Sequence, residues 1–300
     1  MNEYGTTSPG AEMILPELKL NSRINQKWSE SGLDSQEHCR DQDHFNQYPY
    51  TVEYLYNSRG FRDLEWPEDL VNCVWCIGDS YTVGLGAPFE HTWPQVLQHS
   101  VDRPAINISM DGASNQWISR RAHSIISAVN PQHMVIMWSY FWRRELADAT
   151  LDDEQRRIVD VTTTSNQDLE DFLDCIAGLT ADNIVHVAVP GCLDGYCLGN
   201  IVKIISSELQ ATWDGICGQS WPDCPESIAQ LNQLPADINN EIKEFNLQDY
   251  FVKKISRLEL AQTIKLPQEV VVLDLARDGH HFDIKTSQAL VASVITQLQE

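Results

Sequence analysis

From residue 71 onward, apolar runs of four to seven residues alternate with stretches whose apolar positions recur every three or four. The runs are Val71–Ile77, Ala105–Ile108, Met134–Trp138, Ile184–Val189 and Val270–Leu273. Each is strand length and too short for a helix. Between the second and third, Ile118, Ala122, Ile125, Ile126 and Val129 share one helical face, and Pro131 ends that helix. Asp168–Leu179 places Leu169, Phe172, Leu173 and Ile176 on one side, and Ser287–Gln299 does the same with Leu290, Val291, Val294, Ile295 and Leu298. This alternation predicts an α/β fold: a doubly wound, flavodoxin-like parallel sheet of about five strands with helices on both faces, its ligands gathered outside the carboxyl ends of the strands.

Outside the alternation the pattern changes twice. Residues 1–50 mix Pro, Gly, Asn, Gln and charge with few periodic apolar positions, which reads as an N-terminal arm lying over a neighbouring surface. Tyr50–Tyr56 is rich in strand formers, and Asn57–Gly60 reads as a turn. The main domain is therefore expected over 51–300. Residues 191–260 interrupt it with Gly, Pro, Cys and Trp before a helical patch at Leu247–Leu260, and read as a cap-like insertion or a packed surface excursion.

Two short segments carry candidate chemistry. Gly78-Asp79-Ser80-Tyr81 follows the first apolar run and puts a hydroxyl on the turn leaving a strand's carboxyl end. Ala276-Arg277-Asp278-Gly279-His280-His281 follows the last run, so the same edge of an open sheet would receive an imidazole and a carboxylate. A neutral imidazole bonded to a hydroxyl takes its proton during attack on an acyl carbon, while a carboxylate holds the ring's tautomer and stabilises the imidazolium. The expected assignment is Ser80 as nucleophile, His281 as base and Asp278 as its orienting group.

In the order of these blocks the chain resembles the SGNH, or GDSL, hydrolases, over about residues 50–300. Gly78–Tyr81 matches their first block, Asn107–Gly112 is similar to their second, and Asp278–His281 matches their Asp-x-x-His. Asn57–Asp63 is similar to a lead-in found before the first block in many members. The resemblance implies an oxyanion site made by the backbone N–H groups of Ser80 and Gly112. Family members also carry Gly-x-Asn-Asp after the third strand, whose Asn donates to the oxyanion. Here Met137-Trp138-Ser139-Tyr140-Phe141-Trp142-Arg143 departs from that pattern, with Phe141 or a neighbour at the Asn position. Asp79, Asn115, Ser139 and Arg143 are the candidate auxiliary or substrate-facing residues. The spacing selects His281 over His280, which reads as solvent-facing. Arg143, Arg144 and Glu145 read as a salt-bridge network, and Trp75, Trp93, Trp138, Tyr140, Phe141 and Trp142 as either an acyl- or sugar-binding cleft or core.

Composition narrows the partners. With 21 basic and 43 acidic residues the formal charge is −22, which repels phosphate backbones and anionic membranes, so no nucleic acid is expected. No run approaches the length of a membrane span, and Met1–Gly5 lacks the start of an export signal, so a cytoplasmic or particle-associated location is expected. Cys73 and Cys76 read as buried thiols, and Cys192/Cys197 and Cys217/Cys224 as free thiols first, with a disulfide or a metal clip as the alternatives. No cofactor and no metal is expected. The expected activity is hydrolysis of a small acyl ester, with O-deacetylation of an acetylated glycan as its specific form. The competing expectations are a catalytically weak or inactive binding module, an oligomer or larger particle assembled through residues 1–50, or an O-acyltransferase using the same triad.

Overall fold

The structure is a computed structural model that describes residues 15, 18–29, 34–37, 39, 42–48, 51–140, 143–145, 159–160, 171–172, 174–179, 183–189 and 274–298. Its centre is a four-stranded sheet of β1 (Val74–Gly78), β2 (Ala105–Ser109), β3 (His133–Trp138) and β4 (Ile184–Ala188), in the order β2-β1-β3-β4 and parallel throughout. Every residue of β1 and β2 is buried, as strands covered on both faces must be. The register sets Gly78 beside Ser109 and Ile77 beside Ile136, which brings the carboxyl ends of β1, β2 and β3 to one edge.

The chain runs from β1 outward to β2 and then returns past β1 to β3. The strand order reverses between β1 and β3, and that point is where open α/β sheets form their ligand crevice. The fold is the expected doubly wound α/β arrangement. The fifth predicted strand, Val270–Leu273, the insertion at 191–260 and the cysteine pairs Cys192/Cys197 and Cys217/Cys224 lie outside the described residues.

Four helices frame this edge: α1 (Ser80–Val83), α2 (Trp93–Val101), α3 (Asn115–Ala128) and α4 (Ile284–Leu298). The hydroxyl of Ser114 caps α3 by accepting from Trp117 N–H, and Pro131 follows its end as predicted. α3 packs on β1 and β3, while α4 lies beside α2 and reaches β4. Right-handed crossovers put the helices of the outward and returning connections on opposite faces. Trp75, Trp93 and Trp138 are fully buried, as is Tyr140, so these aromatic residues of the sequence reading are core rather than cleft. Phe141 and Trp142 lie outside the described residues.

Two local expectations change. Among the described residues of the predicted strand at 50–56, only Tyr54–Leu55 is extended into a ladder, paired antiparallel with Lys27–Trp28. The N-terminal segment is also more than a cover, because Leu15, Leu18 and Leu20 are buried in the main apolar cluster. Burying each contributes about 1.5–3 kcal/mol, which three leucines spaced for no regular element do not announce.

Candidate active site

At the end of β1 the chain turns through Asp79, and Ser80 opens α1. One Asp79 oxygen accepts from Tyr81 N–H at 3.1 Å, capping the helix. Gly84 closes α1 with φ +73°, its N–H donating to the Ser80 carbonyl. Helix geometry thus takes up the Ser80 carbonyl and leaves its N–H outside the intrahelical ladder. Ser80 is 4% exposed.

The second segment is a tight loop. Ala276 N–H donates to His281 O at 2.7 Å, and Gly279 turns at φ +68°. Within it Asp278 Oδ1 accepts the N–H groups of His280 and His281, each at 3.0 Å. Oδ2 then takes the His281 Nδ1 proton at 2.5 Å. Nε2 of His281 is buried and makes no hydrogen bond among the described residues. Burial by itself would raise the Asp278 carboxyl, but His281 and His280 with their hydrogen bonds outweigh it and hold the carboxyl at about 2. Burial works against the charged imidazole too, yet Asp278, with Asp111 and Asp79 beyond it, raises His281 above the usual 6.5. Both shifts favour an ionised Asp278 that aims one imidazole nitrogen outward.

The two segments meet. The Tyr81 ring lies 4.7 Å from the His281 ring, and Arg277 N–H donates to Gly86 O at 3.1 Å. Gly86, at φ +74°, approaches Asp278 so closely that a Cβ there would fall 2.8 Å from Asp278 Cγ. Ser80, His281 and Asp278 are therefore gathered at one edge, although Ser80 and Nε2 are not hydrogen-bonded to each other. Such contacts are often long in a free site and tighten around a reactant. Gly112, the other expected oxyanion donor, follows β2 in a turn at φ +71° that only glycine adopts readily.

The auxiliary residues divide. Asn115 is spent on backbone: it accepts Ser139 N–H at 2.8 Å and donates to Ser139 O at 3.1 Å. Ser139 Oγ is spent as a donor, on Asp79 Oδ2 at 2.6 Å. The Ser139 hydroxyl proton and one of the two Asn115 Nδ2 hydrogens are therefore committed within the fold. Arg143 bonds Asp79 Oδ2 at 3.0 Å and Ser139 Oγ at 2.9 Å through Nη1 alone, over the Tyr140 ring. Its remaining guanidinium donors make no hydrogen bond among the described residues. Burial raises the Asp79 carboxyl, against Arg143, Ser139 and the Tyr81 N–H, which lower it. Arg144 pairs with Asp171 and Arg120 with Glu145, so the expected Arg143, Arg144 and Glu145 cluster is instead three separate pairs to other elements.

His280 is not simply solvent-facing. It is half-buried with Nε2 3.2 Å from the Tyr81 hydroxyl. Among the described residues no cluster of His, Cys, Asp or Glu has the form of a metal site, and no helix is long and apolar enough to cross a membrane. A surface cavity of about 520 Å³ borders Trp66, His99 and Pro104 at the amino end of β2, the edge opposite Ser80.

Sequence reasoning missed Arg62 and Asp34. Arg62 is fully buried and donates to the carbonyls of Val83, Gly84, Ala87 and Glu53, gripping the loop after α1. Its place in the Asn57–Asp63 lead-in was a signal, but nothing local states where a guanidinium points. Asp34 had no signal at all.

The fold and these side chains define a class: a doubly wound α/β domain with Ser, His and Asp at the carboxyl edge of its sheet. No protein-family model matches the chain, and no curated protein matches it in sequence. It is similar to the solved structure of a lipase/acylhydrolase from Enterococcus faecalis, at 12% identity over 76% of this chain and 95% of the other, with a TM-score of 0.34. It is similar also to a member of the lipolytic protein G-D-S-L family from Veillonella parvula, at 15% identity over 75% and 96%, with a TM-score of 0.31. At such scores the chemistry has to be read from this chain's own residues.

Proposed function

We propose that this chain is a serine ester hydrolase acting on a small acyl ester, with O-deacetylation of a glycan as its specific form. The observation that carries the reading is the buried Asp278–His281 pair, whose imidazole has its Nδ1 side fixed and its Nε2 unpartnered beside the turn that bears Ser80. Ser80 Oγ attacks the acyl carbon as its proton passes to Nε2, and Asp278 stabilises the imidazolium. Collapse of the tetrahedral intermediate breaks the ester C–O bond, and Nε2 returns the proton to the leaving alkoxide. Water then attacks the acyl-serine with His281 again as base, releasing the acid and Ser80.

The oxyanion is held by the N–H groups of Ser80 and Gly112. Arg143 also has donors to spare, and its bond to Asp79, the residue before Ser80, holds it next to the nucleophile turn.

Hydrolysis of p-nitrophenyl acetate by the full chain and by Ser80→Ala is the test. The wild type should turn over and label with a fluorophosphonate, while the variant should lose both, by at least about a thousandfold in kcat. The base works as neutral imidazole, so kcat/KM should rise with pH to a midpoint above 6.5. Equal rates in the two proteins would sink the proposal.

A further inference from the structure

We propose that Asp34 is a positioning residue for the site: its buried carboxylate ties the loop that follows Ser80 to the loop that carries Asp278 and His281. The inference rests on the hydrolase reading above and adds a residue on which no block of the sequence bears.

Asp34 is 0% exposed. Its Oδ2 accepts the Tyr54 hydroxyl at 2.9 Å and Arg277 Nη2 at 3.2 Å. The Tyr54 oxygen accepts Gly86 N–H at 2.8 Å, and Gly86 O accepts Arg277 N–H at 3.1 Å. These four bonds close a ring, Asp34 to Tyr54 to Gly86 to Arg277 and back to Asp34, whose members come from four separate stretches of chain. Gly86 lies six residues after Ser80 and stands against Asp278, and Arg277 immediately precedes Asp278. The ring therefore fixes the two loops that must be in register for His281 to face Ser80.

The same N-terminal segment holds the outer side of the triad loop. His44 Nε2 lies 2.7 Å from Ala276 O, and the Tyr48 hydroxyl donates to Leu275 O. The Phe45 ring lies beneath the Arg277 guanidinium at 4.9 Å. Among these groups Asp34 has a distinct role, since one carboxylate oxygen serves both loops at once. It is also an acidic partner of Arg277, itself 3% exposed, so a neutral side chain there removes a buried ion pair.

The consequence is kinetic. Misplacement of a base by about 1 Å costs up to about a hundredfold in rate without weakening ground-state binding. Asp34→Asn in the full chain should lower kcat for the aryl ester by about 10- to 100-fold, normalised to fluorophosphonate-reactive sites, with KM within about twofold. The low-field proton resonance of the Asp278–His281 hydrogen bond should shift or broaden in the variant. Tyr54→Phe breaks the same ring from its other side and should give the same signature, so failure of one variant to fold leaves the other to decide. The double variant should be no worse than the more affected single one, because both act through one ring.

Unchanged kcat and an unchanged resonance, with only a lower melting temperature, would overturn the proposal and leave Asp34 a purely structural residue. If the wild type shows no Ser80-dependent hydrolysis, the hydrolase reading fails on its own. The resonance still decides whether Asp34 positions the pair, a shift supporting it and no change refuting it.

Discussion

Arg143 is a candidate for the oxyanion role that an Asn side chain was expected to fill, and it differs from that amide in charge, reach and number of donors. Its Nη1 is committed to Asp79 and Ser139. A guanidinium held at one end still presents a fixed fork of further N–H groups, which an ammonium cannot imitate. Arg143→Met should therefore lower kcat by about a hundredfold, the cost of one lost oxyanion donor, with a smaller change in KM. Arg143→Lys keeps a cation for Asp79 but not the fork. Lysine should leave most of the defect in place, and full recovery by lysine would show that Arg143 serves only to neutralise Asp79. Rates for the three proteins under saturating aryl ester decide between these outcomes.

The nucleophile turn depends on an element that is neither helix nor strand. The loop from Gly84 to Ala87 is irregular, and its carbonyls, with that of Val83 at the end of α1, cannot bond within the helix. Arg62 supplies those bonds from the preceding lead-in, while its guanidinium also lies over the Tyr54 ring at 4.3 Å. Each buried acceptor left without a donor costs about 1–3 kcal/mol. Arg62→Met should destabilise the protein by about 3 kcal/mol or more, read as a lower denaturant midpoint. A loss under about 1 kcal/mol would mean that the Tyr54 bond to Gly86 suffices to hold the loop. Asn57 and Asn107 do comparable local work. Asn57 Oδ1 accepts the N–H groups of Arg59 and Phe61, and Asn107 Nδ2 ties Arg62 O to Thr82 O. The lead-in is thus a backbone-bonding device built from side chains, which is why it reads as turn-like in sequence yet is buried.

Across the chain, charge and burial act in opposite directions with salt. A net charge of −22 sets the carboxylates in net mutual repulsion. The pairs that organise the site, Asp34 with Arg277, Asp79 with Arg143 and Asp278 with His281, have carboxylates that are fully or almost fully buried and are screened little. Raising sodium chloride from about 0.1 M to about 1 M shortens the screening length from about 10 Å to about 3 Å. The melting temperature should rise by about 2–4 °C, equivalent to about 1 kcal/mol, as surface repulsion is relieved. A fall would show that exposed ion pairs such as Lys27 with Glu53 outweigh the repulsion.

Periodicity and turn chemistry were enough to place β1 to β4, the helix ending before Pro131 and the final helix, because those depend on neighbours along the chain. Their edges moved by a few residues: β1 begins at Val74, since Val71 is exposed in a turn, and the final helix starts at Ile284. The Asp278–His281 pair was equally legible, being a contact between residues three apart. What the linear pattern did not contain was direction at long range. Asn115 and Ser139 had the right chemistry for the oxyanion, but each found a partner elsewhere in the fold, Asn115 on the Ser139 backbone and Ser139 on Asp79. Asp34 lay in a segment with no periodic signal, 243 residues from Arg277. Local physics decides which elements form; only packing decides which polar atoms are left over at the sheet edge, because a hydrogen-bonding group is free or engaged according to neighbours brought by the rest of the fold.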